Sequence, residues 1–220
     1  MIAAWPGPEG DEYALAFDRG RERRLLVLPA LFDEANKLRR FTAEVMRRLD
    51  EAGIDTILPD LPGCNESLAP LEAQSLLGWR EAAAAAAEHF EATHVLAVRG
   101  GALCEPDDLP TLRYAPVTGA ALLRALLRAR ILASKEAGTE ESRDDLLKRG
   151  RAEGLELAGY RLGPQLIREL ETAEPSGGAA LANVAQSDLG GPGLWLRAEP
   201  DHSPAQAAAL AARVASELAA

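Results

Sequence analysis

The stretch THVLAVRGGALCEPDDLP, residues 93–110, decides how this chain is read. Its first half, from His94 to Val98, is a short continuous apolar run. Such runs belong to strands buried on both faces of a parallel sheet. The run opens into Arg99-Gly100-Gly101. Two glycines after a buried strand mark a tight turn in which one backbone approaches another. Pro106 and Pro110 then leave room for about one helical turn before the next strand. The expectation is a strand, an abrupt turn and a truncated helix, with a permanent cation, Arg99, at the tip of the turn.

Working outward, the same rhythm recurs. Residues 25–29 and 54–59 read as further buried strands, and residues 13–17 as an edge strand. Between them, Leu38, Phe41, Val45, Met46 and Leu49 fall at helical spacing, with arginines on the other face and Gly53 as a C-terminal stop. A helix is expected over 75–89, a strand over 112–117 and a long helix over 119–135. The charged segment EAGTEESRDDLLKRGRAEG follows, then a strand or hairpin arm leading into a helix with Pro164 in its first turn. ALANVAQ and GLWLRAEP read as the closing strands, and a last helix starts with Ser203 as N-cap and Pro204 behind it. Strands and helices alternating about every 30 residues define an α/β class with a mostly parallel sheet and helices on both faces. We read 1–220 as one domain with a small cap insertion at about 118–172.

Composition narrows the function. Hydrophobic residues make up 47% of the chain, enough for a real core. Its 24 basic and 34 acidic residues give a net charge of −10, which argues against nonspecific nucleic-acid binding. Two cysteines, Cys64 and Cys104, make neither a disulfide framework nor a metal site, and they read as reduced thiols in a cytoplasmic protein. No signal peptide or transmembrane segment is evident. No cofactor is expected either: the first strand leads into LPALFDEANK, which lacks the glycine pattern of a dinucleotide site.

The run DLPGCNES, residues 60–67, resembles the D-x-x-G-x-G-x-S turn of α/β-hydrolases, with Asn65 in place of the second glycine. One helix later, Ala97-Val98-Arg99-Gly100-Gly101 stands where those enzymes carry G-x-S-x-G, their nucleophile elbow. With LPALFDEANKLRR and the segments from 116 to 171, the order of motifs over 25–220 resembles the exosortase A system-associated hydrolases, in particular the second type. The resemblance implies an α/β-hydrolase-like fold and a bacterial exopolysaccharide or protein-sorting setting.

It also frames the chemistry. A serine hydrolase needs an exposed nucleophile, a histidine base, an acid to orient it and two oxyanion donors. Arg99 cannot attack a carbonyl, and FDEANK carries no glycine run for an oxyanion loop. By position His202 is the candidate base and Asp188 the candidate acid; a solvated loop histidine and a turn-forming aspartate are the alternatives. Cys64, Ser67 and Cys104 are the possible substitute nucleophiles, against burial as ordinary core thiols for the cysteines. Arg99 would either bind an anionic ligand through its fork or pair with Asp33, Glu34 or Asp107. Over 119–135, Leu122, Leu123, Leu126, Leu127 and Ile131 share one face, while Arg124, Arg128 and Arg130 are basic. That helix reads as a cap packed on the sheet, as a protein-docking surface or as a weak membrane-surface contact.

Two functions follow. One is a pseudoenzyme that binds a small acyl or anionic ligand, or a protein partner through the cap helix. The other is an active ester or thioester hydrolase with a rebuilt nucleophile.

Overall fold

The computed structural model describes residues 1–8, 10–175 and 180–219. β1 (Ile2–Gly7) and β2 (Gly10–Phe17) pair antiparallel, followed by β3 (Arg24–Leu28), α1 (Asp33–Glu51) and β4 (Asp55–Pro59). Then come α2 (Leu76–His89), β5 (His94–Val98) and β6 (Thr111–Tyr114). A segment between β6 and β9, called the cap below, consists of α3 (Gly119–Glu136), α4 (Arg143–Glu153), a two-stranded ribbon of β7 (Leu155–Leu157) and β8 (Tyr160–Leu162), and α5 (Pro164–Leu170). The chain returns to the sheet through β9 (Ala180–Val184) and closes with α6 (Gln186–Leu189) and α7 (Pro204–Glu217). The main sheet has seven strands in the order β1-β2-β4-β3-β5-β6-β9. From β4 to β9 every neighbouring pair is parallel, and β2 joins β4 antiparallel.

Side chains alternate across a strand, so each central strand feeds two cores. Leu25, Val27, Leu96 and Val98 meet Leu38, Phe41, Val45 and Leu49 of α1 and Leu210 and Val214 of α7. Leu26, Leu28, Val95 and Ala97 face α2, whose Ala82, Ala83 and Ala86 are fully buried. Alanine at those positions lets the helix lie close to the sheet. A third cluster joins Leu31, Phe32 and Trp79 to Leu122, Leu126, Leu146, Leu166 and Ile167, and so seats the cap.

The ends of the elements follow their sequence signals. Asp33 and Glu34 begin α1, where the helix dipole favours acids. Beyond its other end Gly53 has φ 82°, and Ile54 N–H donates to the Leu49 carbonyl. Ser75, Ser142 and Ser203 each accept a backbone N–H at the start of α2, α4 and α7. Asn65 takes φ 50° in the Asp60 turn and donates to the Asp60 carboxylate at 2.7 Å. That contact and the tolerance of asparagine for left-handed backbone explain why the missing glycine is not needed there.

Three expectations are corrected, and one helix that was not expected is added. Residues 13–17 belong to β2, an interior strand, because Ile2–Gly7 adds an outer strand along it. GLWLRAEP forms no strand: Leu194–Leu196 is a single 3-10 turn, and Tyr114 ends β6 before residues 115–117. The apolar residues of GLWLRAEP instead place Leu194 in the core and Trp195, partly buried, against that core beside Tyr114. The charged segment after residue 135 contains α4, whose apolar Leu146 and Leu147 are too few to raise a periodic signal.

Candidate functional site

Arg99 leaves β5 with φ 53°, in the left-handed region that a non-glycine residue enters at a cost of order 1–3 kcal/mol. Residues Arg99–Leu103 then form one short 3-10 turn, the truncated helix expected from the prolines. The glycine pair is dictated by crowding. A Cβ on Gly101 would sit 2.6 Å from the carbonyl oxygens of both Leu28 and Pro29. One on Gly100 would reach Leu122 at 2.9 Å and Leu31 at 3.0 Å. Arg80 Nε closes the turn by donating to the Leu103 carbonyl at 2.9 Å. Behind it, Glu105 and Arg113 form a buried ion pair at 2.7 Å that ties the loop to β6.

The Arg99 side chain is held on several sides. Its Nε and Nη2 donate to the two Glu34 carboxylate oxygens at 2.9 and 2.8 Å. Its Nη1 donates to the Ala115 carbonyl at 2.8 Å. Its Cζ lies 4.0 Å from the centroid of the Trp195 ring, a cation–π contact worth about 1–2 kcal/mol when partly desolvated. Only 12% of the Arg99 side chain and 17% of that of Glu34 are exposed. Among the three acids considered, the partner is therefore Glu34. Asp33 is occupied by Lys37 at 2.7 Å, and Asp107 is exposed at the end of its loop.

Above this group lies a cleft of about 470 Å³, the size of a small-molecule site. Leu31, Phe32 and Trp195 form apolar wall on one side and α3 lines the other. Phe32 stacks edge-on against Tyr160 of the cap ribbon, 5.6 Å between centroids. Phe32 (φ 58°) and Ala158 (φ 50°) share the left-handed backbone of Arg99, and all three line the same cleft.

Comparison with family models finds no match, nor does comparison with curated proteins. Solved structures do match. Alpha/beta hydrolase domain-containing protein 10 from mouse superposes over 100% of this chain and 98% of its own, with TM-score 0.58 and 11% identity. A candidate hydrolase from Agrobacterium vitis S4 covers 99% and 98%, with TM-score 0.53 and 16% identity. A protein of unknown function from Agrobacterium tumefaciens, described as a candidate alpha/beta hydrolase, matches only in part, over 53% of this chain and 60% of its own (TM-score 0.43, 12% identity).

The chain has the α/β-hydrolase fold.

In that fold the elbow should present a nucleophile to a base carried after the last strand. His202 does lie between β9 and α7, with its backbone N–H bonded to the Asp201 side chain at 2.7 Å. Its Nδ1 is buried with no hydrogen-bond partner among the described residues, and the residue does not line the Arg99 cleft. The Asp188 carboxylate turns back on its own helix and accepts the Ala185 N–H at 2.8 Å, so the turn-forming role describes its contacts. No hydrogen bond links Asp188 to His202 among the described residues.

The substitute nucleophiles are equally committed. The Ser67 hydroxyl donates to Glu12 at 2.7 Å and accepts the backbone N–H groups of Gly63 and Ala69. Burial, reinforced by Asp60 and Glu12, pushes the Cys64 thiol up to about 12, and burial raises Cys104 as well. Both are therefore protonated thiols at neutral pH, and Cys104 is fully buried. Neither lines the cleft over Arg99. Among the described residues no three His, Cys, Asp or Glu side chains gather as metal ligands would, and no helix is long and apolar enough to cross a membrane.

Sequence reasoning singled out Arg99 and its glycines, and gave Glu34 as one of three possible partners. It missed Trp195 and the Ala115 carbonyl. The first was hidden by reading its segment as a strand. The second is a backbone atom, which carries no side-chain signal.

Proposed function

We propose that this α/β-hydrolase-fold chain is non-catalytic, of the exosortase-associated kind, and acts as a cytoplasmic accessory protein that binds a ligand in the cleft under its cap. The observation that carries the reading is the engagement of Arg99 by Glu34, Ala115 and Trp195. A guanidinium fixed at the elbow fills the place of the attacking group and supplies no lone pair. The thiols and hydroxyl that would replace it are protonated or fully hydrogen-bonded elsewhere. What persists is the strained backbone and the cleft, which supports binding rather than turnover. The exosortase-associated setting rests on the order of sequence motifs, and the cytoplasmic one on two unpaired cysteines.

The test is turnover of short-chain p-nitrophenyl esters by the purified protein beside His202→Ala and Cys64→Ala/Cys104→Ala. The expected result is no turnover above buffer. Turnover that collapses in either variant would establish the alternative, an ester or thioester hydrolase with a rebuilt nucleophile.

A further inference from the structure

The cleft over Arg99 is lined by four cations and two acids, and their pairing leaves a specific remainder. Glu34 is taken by Arg99 and Asp33 by Lys37. Arg124 and Arg128, one turn apart on α3, line the cleft, are exposed, and have no ion-pair or hydrogen-bond partner among the described residues. The third arginine of that helix, Arg130, is by contrast clamped to Glu141 at 2.7 Å. In a chain with a net charge of −10, the cleft rim therefore holds two uncompensated guanidinium groups.

The interior of the same cleft is apolar, with Phe32, Leu122, Leu126 and Trp195 among its walls. Resting on the binding role proposed above, we infer that the cleft takes an amphipathic anion. Its apolar chain or ring lies between Phe32 and Trp195, and its carboxylate or phosphate head meets Arg124 and Arg128. Two adjacent forks suit a head with several acceptor oxygens. Because Arg99 is already satisfied by Glu34, it serves as the neutralised floor and the rim arginines supply the charge recognition.

Calorimetric titration of the full chain with octanoate, octyl phosphate and octan-1-ol tests this. The expected result is that both anions bind and the alcohol binds at least about tenfold more weakly, the worth of one charge-assisted hydrogen bond. Arg124→Glu/Arg128→Glu, which alters only exposed side chains, should weaken the anions by a similar factor and leave the alcohol unchanged. Ala125→Trp, which fills the cleft from an exposed helix position, should remove binding of all three. Sedimentation with phosphatidylglycerol vesicles separates a soluble ligand from a lipid surface. Binding to vesicles alone, equal affinity for alcohol and anion, or unchanged anion binding by the charge-reversed variant would each overturn the inference. Ester turnover dependent on His202 or a cysteine would overturn the non-catalytic reading while leaving this charge preference to stand or fall separately.

Discussion

At the scale of single residues, the turn after β5 holds left-handed backbone under a guanidinium with partners on three sides. Arg99 retains φ 53° because Glu34, Ala115 and Trp195 together fix its guanidinium from above. Restoring a hydroxyl by Arg99→Ser is therefore expected to yield no esterase, since neither His202 nor Asp188 is hydrogen-bonded toward that position. It should destabilise the fold by about 2 kcal/mol, because the mostly buried Glu34 carboxylate loses its fork. Urea denaturation of Arg99→Ser and of Arg99→Ser/Glu34→Gln checks this: the second change should recover part of the loss. The thiols give a second residue-scale prediction. With Cys64 held at about 12 and Cys104 pushed higher by burial, both should resist DTNB in the folded protein and react only on unfolding. Fast stoichiometric labelling of the native chain would contradict that placement.

At the scale of elements, the turn after β5 is set by how closely it passes the end of β3. Gly101→Ala places a methyl against two carbonyl oxygens at 2.6 Å, those of Leu28, which ends β3, and of Pro29 just beyond it. The expected cost is at least about 3 kcal/mol, from overpacking with no flexible side chain to yield. A thermal melt that matches the wild type would show that the turn has more room than this geometry allows. The parallel strands, α1, α2 and α7 were legible from apolar periodicity and caps, since each element buries a continuous stripe. β1 and α4 were not. The outer strand has a mostly exposed pattern, with Ile2 76% exposed, and α4 buries only Leu146, Leu147 and Gly150. Elements that bury little carry little period.

At the scale of the whole molecule, the cap is fastened across α3 and α4 by Glu141. Its carboxylate accepts from Arg130 at 2.7 Å, from Ser134, and from Arg149 at 3.0 Å. Those bonds, Arg130 foremost, lower its pKa from 4.5 to about 2. A carboxyl whose folded value is depressed stabilises the native state above its unfolded value and loses that contribution as pH falls through the folded one. Glu141→Gln should therefore lower the melting temperature at neutral pH, with the gap to wild type closing between about pH 4.5 and 2. A gap that stays constant over that window would mean the clamp does not titrate as its contacts require.

What the sequence alone determined is the part of this protein that local physics repeats: buried strands, amphipathic helices, serine caps and a glycine pair that only a crowded turn requires. It also determined that an arginine, Arg99, follows the buried strand β5. Tertiary structure decided what Arg99 does instead, because its partners come from three distant segments: Glu34 at the start of α1, Ala115 after β6 and Trp195 beyond β9. It likewise decided that Arg124 and Arg128 line the same cleft. Periodicity states which face of a helix is apolar; only packing states which polar groups on the other face meet an acid and which are left facing an opening.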